Sequence, residues 1–139
     1  MRQAIVHVQL VVPDYDEALA FYVGVLGFRV VEDTAQPDEG KRWVVIEPPG
    51  DAGGASLVLG RAGNDAQRAA IGNQTGGRVF LFLSTDDFGR DHAAMTAKGV
   101  RFVREPKVMD YGTVAVFADP FGNLWDLVEF APGHRLATK

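Results

Sequence analysis

Residues 78–130 repeat the order of residues 4–62, and no other feature of this 139-residue chain restricts its fold as strongly. "AIVHVQLVV" at 4–12 is apolar and β-branched with a period of two, and "PDYDEALAFYVGVLG" then changes to helical spacing. Asp14 stands where an N-cap is needed, Glu17 can complete a capping box, and Gly27 suits a left-handed C-terminal cap. The spacing predicts a helix of about three turns, with Ala18, Leu19, Tyr22, Val25 and Leu26 facing a sheet. "FRVVED", "RWVVIEP" and "ASLVLG" read as three strands, the last two joined across the turn-rich "PPGDAGG". The second half runs through "RVFLFLST", a cap at Asp87, the helix "FGRDHAAMTAKG", then "VRFVREP", "GTVAVFAD", the turn "DPFGN" and "LWDLVEF".

Two details set the register of this duplication. Asp14 matches Asp87, and "LGFRVVE" matches "KGVRFVR" after a one-residue deletion. His7 then corresponds to Phe80, and Val58 to Asp126. The chain is expected to be one α+β domain over residues 1–130, built from two tandem βαβββ modules at 4–62 and 78–130. Between them, "GNDAQRAAIGNQTGG" at 63–77 is a polar linker with room for one short helix, and the tail 131–139 looks frayed. A helix covers one face of each module's sheet. The uncovered faces are expected to curl into a shared trough of a curved mixed sheet, where a ligand would bind.

Composition narrows the chemistry. A hydrophobic fraction of 47% is enough for a core, and the formal charge of −4 comes without a basic run to neutralise phosphates. Nucleic acid and anionic membrane are poor partners for such a surface. The absence of cysteine removes disulfides, thiolate nucleophiles and Cys-ligated metals. The N-terminus enters a strand at once, with no signal-type cleavage site and no 18-residue apolar run, so a cytoplasmic location is expected.

With these motifs in place, the sequence resembles the vicinal oxygen chelate superfamily, which includes glyoxalase I, bleomycin-resistance proteins and extradiol dioxygenases. "HVQLVVPDYDEALAFYVGVLGF" is similar to its first-repeat signature, and "FADPFGNLWDLVE" to its closing "DPxGN" hairpin and strand. The resemblance implies the glyoxalase/bleomycin-resistance fold and a homodimer, for which an open trough gives a physical reason. It also implies metal ligands at four strand positions, the first and last strand of each repeat. His7 and Asp126 occupy two of these; Val58 and Phe80 occupy the others and cannot bind a metal. Two protein ligands are fewer than a catalytic zinc or an iron facial triad takes. No resident cofactor is expected, and a divalent metal stays open only as a weak or shared site at His7 and Asp126.

His7 and Asp126 also form a candidate acid/base pair, the carboxylate holding the imidazole tautomer. The alternative is a remnant of a lost metal site. Gln9 shares the face of His7 and could bind a carbonyl. Arg78, in phase with Phe80, could anchor a ligand carboxylate. Val58, Phe80 and Phe82 make the trough suited to an apolar or aromatic small molecule, although Phe82 could equally fill core. Tyr111, before Gly112 at a strand mouth, is a candidate lid. Trp125 is expected on the helix-covered face and His92 in helix packing, while Trp43 is ambiguous and His134 lies in the tail. Three functions remain open: a metal-independent small-molecule binder of the bleomycin-resistance type, a glyoxalase-like lyase, isomerase or dioxygenase-related enzyme using His7 and Asp126, and a degenerate dimerisation module.

Overall fold

The computed structural model describes residues 1–37, 40–50 and 53–137. Its elements run β1 (His7–Val12), α1 (Tyr15–Tyr22), β2 (Arg29–Gln36), β3 (Lys41–Glu47), β4 (Ser56–Arg61), α2 (Asp65–Ala70), β5 (Val79–Ser84), α3 (Phe88–Ala97), β6 (Arg101–Met109), β7 (Gly112–Ala118) and β8 (Leu124–Phe130). The chain divides into two compact units, Met1–Ile71 and Gly72–Lys139. Each carries the βαβββ order expected from the repeat. Each holds a four-stranded mixed sheet, in the order β1-β4-β3-β2 in the first unit and β5-β8-β7-β6 in the second. First and last strands of a unit run parallel, and the other pairings are antiparallel.

In the first unit, alternation sends Leu10 and Val12 to the helix side with Val44, Ile46 and Leu59, all buried. Ala18 and Tyr22 of α1 are buried as well, and α1 lies against β4. Burial of a side chain of this size stabilises the fold by about 1.5–3 kcal/mol. The Asp14 carboxylate accepts from the Glu17 amide, which caps α1. The helix is shorter than its apolar spacing suggested. After Tyr22 the amides of Val25 and Leu26 both turn to the Phe21 carbonyl, Gly27 takes φ 79°, and the Phe28 amide closes onto Tyr22. Strand β1 begins at His7, although the apolar alternation starts at Ala4. The expected turn between β3 and β4 includes Asp51 and Ala52, which lie outside the described residues.

The second unit repeats the design with aromatic filling. Phe117, Trp125, Leu127 and Ala115 are buried on the helix side with Phe88 and Met95 of α3. Phe117 and Trp125 stack at 5.9 Å, and His92 stacks on Phe88 while lying 4.3 Å from the Phe102 ring, so both expectations about packing hold. Asp87 caps α3 by accepting from the Arg90 amide.

The boundary between the units falls within residues 63–77, where the short helix is α2: capped by Asn64, it contacts β1 of the first unit, and residues from Gly72 onward belong to the second. The expectation of a frayed tail needs correction, because the tail is held as far as residue 137. The Ala131 amide donates to the Tyr111 carbonyl, and His134 stacks on Phe130 at 4.5 Å.

Candidate functional site

Alternation gives each sheet a second face, opposite its helix. In the first unit that face carries His7 and Gln9 of β1, Trp43, Val45 and Glu47 of β3, and Ser56 and Val58 of β4. His7 pairs with Ser56 and Gln9 with Val58. The His7 ring meets Trp43 edge-on at 5.8 Å and 79°. The Trp43 indole N–H donates to Glu32 at 2.8 Å, which settles Trp43 as a residue of this face. Arg29 and the Ser56 hydroxyl both donate to Glu47, and Arg29 holds the Glu47 carboxyl below the usual carboxylate range. Gln9 lies over Gly60, where a Cβ would stand 2.1 Å from the Gln9 amide nitrogen. Gly60 therefore provides the space that Gln9 occupies. Val58 is buried.

In the second unit the corresponding face holds a cleft of about 540 Å³, lined by residues 104–107, Met109, Tyr111, Val114, Ala115, Val116 and Asp126. Strand pairing explains its shape. Arg104 of β6 pairs with Val116 of β7, which pairs with Asp126 of β8, which pairs with Phe82 of β5. These four residues form one row across the sheet. Pro106 sits in a register shift between Arg104 and Lys107, and β6 is the outermost strand, where a missing backbone N–H is tolerated. Tyr111, in the β6–β7 turn, also lines the cleft and is exposed.

Asp126 is the polar group on the floor. Burial pushes its carboxyl above the ordinary carboxylate value, with the Arg104 charge pulling the other way. Neither Arg104 nor any other described residue hydrogen-bonds it. A half-buried carboxylate in that condition is short of donors, and a ligand can supply them.

The structure thus places Tyr111 and Asp126 in one cleft. Phe82 is the neighbour of Asp126 across β5–β8 and is 67% exposed. Arg78 precedes β5 and is exposed, and a register shift between Val79 and Leu81 breaks the phase that was expected to join Arg78 to Phe80 and Phe82. Val79 is the partner of Leu124. Gln9, Val58 and His7 belong to the first unit, and Asp126 to the second. Arg104, Lys107, Met109, Val114 and Val116 were not anticipated. Pro106 within a strand was the available signal, since it marks an edge strand or a bulge. Among the described residues, no three His, Cys, Asp or Glu side chains gather as a metal site would require, and no helix is long and apolar enough to cross a membrane.

Comparison with known proteins agrees with this architecture. A family model described as the Glyoxalase/Bleomycin resistance protein/Dioxygenase superfamily matches residues 4–127. An uncharacterized protein of Shewanella frigidimarina (strain NCIMB 400) is 59% identical over 129 residues, covering 93% of this chain and 95% of that protein. Among solved structures, UcmS2 is 31% identical with a TM-score of 0.77, covering 92% of this chain and 98% of its own. TnmS3, an antibiotic binding protein from Streptomyces sp. CB03234, is 28% identical with a TM-score of 0.73, covering 94% and 98%.

Proposed function

This chain belongs to the glyoxalase/bleomycin resistance protein/dioxygenase superfamily, and from that premise we propose that it binds a small apolar or aromatic molecule in the cleft of its second unit without a resident metal. The observation that carries this reading is the row Arg104–Val116–Asp126–Phe82 beside a 540 Å³ cleft in which Met109, Val114 and Val116 stand among the charged groups of Arg104, Glu105, Lys107 and Asp126. That volume suits a drug-sized ligand, and polar groups set among apolar ones are what such sites use for orientation. The similarity to TnmS3, an antibiotic binding protein, supports the same ligand class.

The donor set does not fit a resident catalytic metal. At the four positions that hold ligands in metal-dependent relatives, each unit offers one donor: His7 with Val58 in the first, and Asp126 with Phe80 in the second. Glu32 and Glu47, the carboxylates nearest in kind on the first unit's face, are already engaged by Trp43, Arg29 and Ser56. The raised Asp126 carboxyl favours a second reading, in which it exchanges a proton with a bound substrate.

Fluorescence titration with 1-anilinonaphthalene-8-sulfonate, followed by competition with a panel of aromatic antibiotics, tests the proposal. Saturable binding at one site, weakened by Val116→Asp and unchanged by EDTA, is the expected outcome. Binding that needs an added divalent cation and disappears in His7→Ala would replace it with a metal-dependent reading. Turnover of the ligand, lost in Asp126→Asn, would establish the enzyme.

A further inference from the structure

We infer that the cleft selects aromatic ligands bearing a neutral hydroxyl, because Asp126 and Arg104 flank Val116 as an acceptor and a donor that do not satisfy each other. The inference rests on the binding function proposed above and names its ligand class. Arg104 and Asp126 project from β6 and β8 on the same face, one strand apart on either side of β7. Neighbouring strands lie about 4.8 Å apart, so the two backbones are about 10 Å apart at this row. The gap is floored by the Val116 side chain. The guanidinium is close enough to draw the Asp126 carboxyl downward electrostatically, yet no hydrogen bond joins them.

A group lying over Val116 would meet both. A phenolic or enolic O–H can donate to the Asp126 carboxylate while its oxygen accepts from the Arg104 guanidinium, so one atom answers both needs. Charged groups and ethers answer only one. An ammonium donates to Asp126 but faces the Arg104 charge, and a carboxylate suits Arg104 but is repelled by Asp126. An ether accepts but cannot donate. The aromatic body attached to the hydroxyl would rest on Val114 and Val116 toward Met109 and Tyr111, all of which line the cleft. Removing the donor from such a ligand leaves the half-buried carboxylate unpaired, which is the circumstance in which a polar site discriminates.

The test compares 2-naphthol with 2-methoxynaphthalene by isothermal titration calorimetry on the full chain at pH 7. The second carries a methyl group in place of the hydroxyl hydrogen of the first and keeps the same ring system. Wild type is expected to bind 2-naphthol at least about tenfold more tightly, and that ratio should fall toward one in Asp126→Leu and in Arg104→Met. Asp126→Asn keeps an acceptor oxygen and should retain part of the preference, which guards against a fold defect in the leucine variant. Equal affinity of wild type for both compounds, or a preference that survives in Asp126→Leu, overturns this inference and leaves the binding function standing. Binding of neither, together with no binding of the sulfonate probe, overturns both.

Discussion

Replacing Asp119 by alanine should be among the most damaging single changes in the second unit, although Asp119 has no part in the cleft. Its side chain is 4% exposed, and one carboxylate oxygen accepts from the backbone amides of Phe121, Gly122 and Asn123 at 2.8–2.9 Å. The other oxygen accepts from the Asn123 side-chain amide at 2.7 Å. This arrangement holds the β7–β8 turn, and the turn sets the register that puts Val116 beside Asp126. Asn123 is buried, so its orphaned amide would bear most of a desolvation penalty of about 1–3 kcal/mol. Phe121 and Gly122 are more accessible, and water can replace part of what they lose, at about 0.5–1 kcal/mol each. The sum is about 2–5 kcal/mol. Urea unfolding followed by tryptophan fluorescence in a Trp43→Phe background makes Trp125, stacked on Phe117 in the same unit, the reporter. Asp119→Asn, which keeps an acceptor oxygen, should lose less than half as much. A loss below about 0.5 kcal/mol for Asp119→Ala would refute the claim that this carboxylate organises the turn.

Asp126→Asn should be as stable as wild type or more stable at pH 7, because burial raises the carboxyl in the folded state. The folded protein then holds more protons than the unfolded chain between the unfolded value of about 3.9 and the raised folded value, so wild-type stability falls as pH rises through that window. Thermal melts of the two proteins should converge at acidic pH, and a wild type favoured at pH 7 would contradict the assignment. Arg42 pairs with Asp33 and Asp16 and lies over the Tyr15 ring, and it holds the Asp33 carboxyl below its usual range. Arg42→Met should cost about 1 kcal/mol in urea unfolding at low salt and less at 0.5 M salt. The lowered Asp33 carboxyl makes the pair's contribution complete above the unfolded value and progressively lost as pH falls through the folded one. Gly72→Ala should lower stability by at least about 2 kcal/mol, since φ is 69° and a Cβ would stand 1.8 Å from the Phe121 carbonyl oxygen. An unchanged melting temperature would show that the 72–121 contact is not kept in solution.

Much of this protein was legible from residue order, and the reasons are local. Caps at Asp14 and Asp87 follow from a carboxylate that reaches the amide three residues on, and the "DPFGN" turn from a proline that presets φ and a glycine that takes φ 111°. The period-two pattern, with Val6, Val8 and Leu10 toward the helix, puts His7 and Gln9 on the other face because side chains alternate along a strand. The duplication set the order of elements and, through it, family membership. Tertiary structure decided what alternation cannot carry across an irregularity. The bulge at Val79–Leu81 took Arg78 out of phase with Phe82, and another falls at Pro106 in the strand that lines the cleft. A bulge inserts one residue into a ladder without announcing itself in hydrophobic period, so register beyond it depends on the partner strand. The row from Arg104 to Phe82 is likewise a property of pairing, because its members come from four strands and only hydrogen-bonded register brings them abreast.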